Sequence, residues 1–247
     1  MMVLARGNVI LYKGAAMKEI SSKCICENCE FRNIVFSFLD EKAIHELCEN
    51  KIEHSYRKGE IIHREGDKIS EFKYLKSGLV KLFRGTPYGN DQIITIMRPF
   101  EFVSNMSVFS GENYIYSVSA VEDTVVCVIK LDYIRNLFLS NGAFAMGLLT
   151  RISRINDKII QQTLDIRQKN LIGRVAFVLL YFAKEIYNTK IFEVPVSRKE
   201  IAEYIGMSTA NVIRTLSDFN KDGIIRVSGK TIEITDFNKL EFLSKRG

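Results

Sequence analysis

No stretch of the 247 residues stays apolar over anything near the ~20 positions needed to cross a bilayer, so a membrane-spanning helix is not expected. The N-terminus lacks the ordered charged, apolar and cleavage regions of a secretory signal, which predicts a cytoplasmic protein. Cysteine is scarce and odd in number, five in all, which favours free thiols or metal ligands over a disulfide framework in a reducing compartment. Histidine is scarcer still, and His45, His54 and His63 are the only candidates for an axial haem ligand. No nucleophile-base motif, phosphate loop or paired-carboxylate signature stands out, so the chain does not read as an enzyme.

What is present is enough to bury a core. Apolar residues make up 47%, and a length prior of ~150 residues per domain suggests two domains. Lys and Arg number 35 against 29 Asp and Glu, a net charge of +6 that suits a polyanionic partner. Residues 1–30 read as an arm, its first 23 residues without sustained periodicity, in which Met17 is an alternative start and Cys24, Cys26 and Cys29 cluster as CxCxxC. A sensor domain is expected over residues 31–140. It opens with an amphipathic helix from Ile34 to Ile52, with Ile44, Leu47, Cys48 and Ile52 on one side and Cys48 in the core. From Ser55 to Leu131, short apolar runs such as FKYLKSGLVKLF and TVVCVIKL alternate with turn signals, the signature of a small antiparallel barrel or sandwich. After a short helix at DYIRNLFLSN, a long one is expected over residues 141–168, introduced by Gly142 and reaching Gln168. Leu148, Ile152, Ile155 and Ile159 recur in it at spacings of four, three and four, which predicts the seam of a parallel two-stranded coiled coil. A helix lying on its own barrel is the alternative. The run LIGRVAFVLLYFAKEIY is too apolar to face water and should form the core of a last domain, residues 169–247.

That last domain carries the most specific pattern. Pro195 to Ile234 reads PVSRKEIAEYIGMSTANVIRTLSDFNKDGIIRVSGKTIEI, the layout of a helix-turn-helix followed by a two-stranded wing. Ser197 and Glu200 make a capping box that opens a helix with Ile201, Tyr204 and Ile205 inward, and Gly206 breaks it. Ser208 caps a second helix, running to Phe219, with Val212, Leu216 and Phe219 inward. Its outward residues, Thr209, Ala210, Asn211 and Arg214, would enter a major groove. Asp222-Gly223 ends this helix, and Ile224 to Val227 with Thr231 to Ile234, around Ser228-Gly229-Lys230, read as a hairpin. Basic residues here, Arg198, Lys199, Arg214, Lys221, Arg226 and Lys230, are matched by Glu200, Glu203, Asp218 and Asp222, so phosphate contacts fall to a few placed residues. Double-stranded DNA is the expected partner. The rival is an effector-binding module acting on a protein partner, which would lack the steep salt dependence of phosphate contacts.

Barrel, long helix and winged helix-turn-helix, in that order, make the chain from Phe31 onward resemble the family of the cyclic-AMP receptor protein and the fumarate-nitrate reduction regulator (CRP/FNR), on its FNR side. The most family-like segments are YRKGEIIHREGD, YLKSGLVKLF, SRKEIAEYIGMS and GIIRVSGKTIEI. The resemblance implies an α+β fold with an N-terminal cyclic-nucleotide-binding-like double-stranded β-helix (jelly-roll) barrel, a long dimerisation helix and a C-terminal winged helix-turn-helix. It implies a homodimeric transcription regulator that works with RNA polymerase, the effector's state being relayed through the dimer helix by rigid-body rearrangement. Ser197, Arg198 and Lys230 match family positions that hold phosphates, and Lys199, Ser208 and Thr209 complete the DNA-facing set. Where members usually carry a glutamate and, three residues later, a small residue followed by arginine, this chain has Ala210, Ile213 and Arg214. Arg214 is the expected guanine reader and Asn211 an adenine or phosphate contact. Ala210 cannot accept a cytosine amino proton, so the target should differ from the two best-known family operators.

The cyclic-nucleotide version of the barrel carries a glutamate for the ribose and an arginine-serine pair for the phosphate. Those places fall here on Asn105 and within NYIYS, where no arginine occurs, and a buried phosphate without a cation is costly, which argues against cyclic AMP. Cys127 matches the fourth ligand of the oxygen-sensing branch. With Cys24, Cys26 and Cys29 it makes a four-thiolate set able to hold an iron-sulfur cluster that senses oxygen, nitric oxide or redox state. In that branch the N-terminal ligands are spread more widely, and the place of the last one is near Ile34 here. Structural zinc or a thiol redox switch is a second reading. Incidental cysteines, with a barrel that binds haem, another small molecule or nothing, are a third.

Overall fold

The computed structural model describes residues 18–19, 36–86, 89–103 and 107–247. Among the described residues the first α-helix, α1 (Glu41–Glu49), starts where the Asp40 carboxylate accepts from the Ala43 amide at 2.8 Å and closes at Asn50. The helix expected to run to Ile52 is therefore too long. Lys51–Tyr56 form a strand, β2, paired along its length with β8 (Thr124–Lys130), and Ile52 lies on its exposed side. The sheet satisfies amides that a longer helix would have left at a frayed end.

Two four-stranded sheets face each other. One has the order β1 (Lys18–Glu19), β2, β8, β4 (Glu71–Ser77), the other β3 (Ile61–His63), β7 (Ser117–Ala120), β5 (Val80–Gly85), β6 (Asp91–Met97). Neighbouring strands run antiparallel, and the non-consecutive order is that of the expected jelly roll. Leu75 and Val126 from the first sheet meet Val80, Leu82, Met97 and Val118 from the second in an apolar interior. Gly78 turns the chain between β4 and β5 at φ +84°, and a Cβ there would meet Thr124 Oγ1 at 2.5 Å, so only glycine fits.

After α2 (Leu131–Ser140), the long helix α3 (Gly142–Gln168) has the bounds the sequence predicts. The expected seam packs against the rest of its own chain. Leu148, Ile152, Ile155 and Ile159 are buried in a core they share with Leu47 of α1 and with Tyr74 and Cys127 of the first sheet. The chain's own barrel covers them, as in the alternative above. Exposed on α3 is a different apolar line, Met146, Leu149, Ile160 and Leu164.

The last domain is organised on α4 (Leu171–Tyr181), which continues as a turn of π-helix at Phe182–Ile186. Around it lie α5 (Arg198–Ile205), α6 (Thr209–Lys221), α7 (Phe237–Arg246) and a sheet of order β10 (Ile225–Ser228), β11 (Thr231–Ile234), β9 (Ile191–Glu193). The third strand of this wing, β9, is too short for a period of two to betray it. Leu79, Ile93, Ile96 and Val121 of the barrel join the same apolar core as α4 and α5, so the two domains are packed together. Among the described residues no helix is long and apolar enough to cross a membrane.

Candidate functional site

The helix-turn-helix is held by caps that are local in sequence. Ser197 Oγ accepts from the Glu200 amide at 3.2 Å, while Glu200 Oε2 accepts from the Ser197 amide at 2.8 Å, a complete capping box. Gly206 ends α5 at φ 65°, and Arg174 Nη1 braces the turn by donating to the Ile205 carbonyl at 3.1 Å. Ser208 Oγ accepts from the Asn211 amide at 3.2 Å and opens α6. Val212, Leu216 and Phe219 face inward, as the spacing predicts, and Thr215 is buried with them. Outward lie Ala210, Ile213, Arg214 and Ser217, with Thr209 and Asn211 half-buried beside them. Arg214 Nη2 donates to Asn211 Oδ1 at 3.2 Å, which lays the guanidinium along the helix.

Around this face the other expected contacts are arranged unevenly. Arg198 is half-buried, and burial lowers its guanidinium from the ordinary value. Lys199 pairs with Glu203 at 3.5 Å, and Lys230 is exposed at the tip of the wing. Asn220 Oδ1 accepts from the Val227 amide at 2.9 Å and ties α6 to the wing. One participant escaped the sequence reading because it comes from the other domain. Lys81 on β5 donates to Glu200 Oε1 at 2.8 Å, so the barrel grips the residue that caps α5. Burial alone would raise the Glu200 carboxyl, but Lys81 and Ser197 hold it below its ordinary range.

Of the five cysteines, Cys24, Cys26 and Cys29 lie outside the described residues, as do Met17, Ile34 and Asn105. Cys127 is fully buried on β8, in register with Glu53 of β2 and Tyr74 of β4. Its Sγ donates to Glu53 Oε1 at 3.9 Å, and that carboxylate also takes Lys76 at 2.8 Å and Lys51 at 3.2 Å. Burial pushes the thiol up to about 12, against the pull of Lys51, the Tyr74 hydroxyl and Lys76. Cys48, expected as a core thiol, is half-buried on α1 and disulfide-bonded. His45 is exposed beside Glu49, whereas His54 and His63 are buried. Among the described residues no group of three or more His, Cys, Asp or Glu side chains gathers as a metal site.

Comparison with known proteins follows the same division. A cyclic nucleotide-binding domain model matches residues 53–141, and a Crp-like helix-turn-helix domain model matches residues 173–243. The transcriptional activator protein FnrA of Stutzerimonas stutzeri is 29% identical over 184 residues, which cover 73% of this chain and 75% of the relative. The CRP-like cAMP-activated global transcriptional regulator of Mycobacterium tuberculosis is 25% identical over 210 residues, 83% of this chain and 94% of the relative. In fold the chain is similar to FixK2 from Bradyrhizobium japonicum, with a TM-score of 0.70 at 24% identity over 78% of this chain and 96% of that one.

Proposed function

The chain belongs to the CRP/FNR family of DNA-binding transcription regulators, on its FNR side, and from that premise we propose that oxygen, nitric oxide or redox state sets its DNA binding through Cys24, Cys26, Cys29 and Cys127. The observation that carries this reading is the setting of Cys127. Its thiol is dry, and although burial and Glu53 hold its proton on, Lys51, the Tyr74 hydroxyl and Lys76 pull towards the thiolate that a metal would bind. It also shares a core with Leu148, Ile152, Ile155 and Ile159, so a change at Cys127 is felt directly by α3. Chain length supports the rest of the ligand set. Glu19 of β1 is in register with His54, next to Glu53, which is opposite Cys127. Two strand spacings, about 10 Å, separate β1 from β8, and the five residues from Glu19 to Cys24 span up to ~17 Å.

An iron-sulfur cluster on these four thiolates would supply the reaction with oxygen or nitric oxide. The chain's part is to hold the arm against β8 and to pass the difference through α3 to the two DNA-reading helices of a homodimer, which in turn engage RNA polymerase. The exposed line Met146, Leu149, Ile160 and Leu164 is the dimer seam in this reading. Cyclic AMP is disfavoured because NYIYS, where the family's phosphate-binding arginine would fall, holds no arginine. A second reading, a thiol redox switch, is favoured by the disulfide at Cys48.

Anaerobic purification, with the visible spectrum and the iron, sulfide and zinc content measured before and after air, separates these. A brown, sulfide-containing protein that bleaches in air, and that Cys127→Ser leaves colourless, is expected. A protein that stays colourless after reconstitution overturns the cluster. An air-dependent change in thiol count that Cys48→Ser abolishes would then favour the thiol switch.

A further inference from the structure

Helix α6 exposes one large apolar side chain, and it stands in the middle of the face that reads DNA. Ile213 is 54% exposed, while every other large apolar residue of the helix, Val212, Leu216 and Phe219, is buried. Scattered apolar residues on a surface are ordinary. Ile213 is set apart by its company: Ala210, Ile213, Arg214 and Ser217 recur at helical spacing on one exposed face, and Arg214 is steered along that face by its bond to Asn211. An isoleucine in a helix has essentially one χ1 rotamer, so its side chain is a stiff probe held at a defined height above the helix axis.

We propose that Ile213, with Ala210 beside it, reads the 5-methyl groups of thymine in the major groove. The target half-site then contains thymine next to the guanine read by Arg214. This rests on the reading of α6 as the DNA-recognition helix. The thymine methyl is the one apolar group that unmodified DNA presents on the base edges of the major groove, and it is recognised by apolar contact. Donors and acceptors at the other base edges gain nothing from Ile213, and burying them against it without partners would cost binding. Arg214 supplies the complementary polar reading, two parallel donors for guanine O6 and N7. Ala210 is small enough to let the backbone of α6 approach and is itself apolar. The face is therefore built to recognise a methyl group and a guanine side by side.

The test uses the full-length protein under anaerobic conditions and a duplex selected from a random pool for tight binding. Each thymine of the selected half-site is then replaced, one at a time, by deoxyuridine, which removes only the methyl group. At one or two positions beside the critical guanine, wild-type affinity should fall about fourfold per methyl, the worth of one buried methyl-sized group. Ile213→Ser, a change on the exposed face that leaves the buried side of α6 intact, should bind the thymine and deoxyuridine duplexes equally at the affected position. Arg214→Ala should lose its preference for guanine while keeping the sensitivity to deoxyuridine. Methyl reading is overturned if no deoxyuridine substitution weakens wild-type binding, or if Ile213→Ser and Ala210→Gly retain the full sensitivity. Selection that enriches no sequence overturns the assignment of α6 as a reading helix as well, which separates the two failures.

Discussion

His63 shows what burial does to a single titratable side chain. Its ring stacks on Tyr114 with centroids 3.7 Å apart and planes 14° from parallel, and among the described residues neither nitrogen has a hydrogen-bond partner. Burial, and secondarily the charge of Lys73, lower its pKa from 6.5 to about 3. Between those two values the unfolded chain holds one proton more than the folded one. Stability therefore falls as pH drops from about 6.5 towards 3 and is indifferent to this group above that window. His63→Phe keeps the stacking and removes the proton. Urea unfolding between pH 6.5 and 4.5 should show the variant's acid slope flattened by about 1 kcal/mol per pH unit. An unchanged slope would mean that the imidazole is charged in the folded protein.

At the scale of elements, the helix-turn-helix depends on a cap that two domains share. Glu200 closes the capping box with one oxygen and accepts from Lys81 with the other. Ser197→Ala removes the local half, and its expected cost is about 1 kcal/mol of stability. The bridge between domains is only partly exposed, its side chains being 13% and 24% accessible, so it should contribute measurably. A double-mutant cycle of Lys81→Met with Glu200→Gln should give a coupling of about 1 kcal/mol in thermal or urea unfolding. Additive effects would show that the contact contributes nothing. These elements were legible to different degrees. Ser197, Gly206 and Ser208 act on neighbours three or four residues away, and the caps of α5 and α6 are in the structure as read. Helix α1 was overdrawn because Ile52 continues a helical spacing, yet its backbone pairs with Val128 across the sheet.

For the whole molecule, the two faces of α3 make opposite predictions. Ile155 belongs to the barrel's own core, whereas Ile160 and Leu164 are exposed. Ile160→Glu combined with Leu164→Glu should yield a folded monomer, seen by sedimentation and by a melting temperature independent of protein concentration. Ile155→Glu should instead destabilise the sensor domain itself, since it buries an unpaired charge. A double variant that sediments like the wild type would move the dimer interface off this line. The apolar residues Leu148, Ile152, Ile155 and Ile159 mark a stripe in the sequence, but their spacing does not say whether a second chain or the first one's barrel covers it.

The bounds of α3, the capped pair α5 and α6, the order of barrel, helix and winged domain, and the inward residues of α6 were determined by the sequence alone. Caps, turns and apolar periods work through hydrogen bonds and side-chain contacts within one or two turns of backbone, so their causes lie side by side in the chain. Only the tertiary structure decided that Lys81 reaches Glu200, that β9 joins the wing, that Cys127 lies dry between Glu53 and Tyr74, and which stripe of α3 remains open. Each of these joins residues far apart in sequence. Which apolar surface covers another depends on the area the whole chain can remove from water, and no local spacing encodes that.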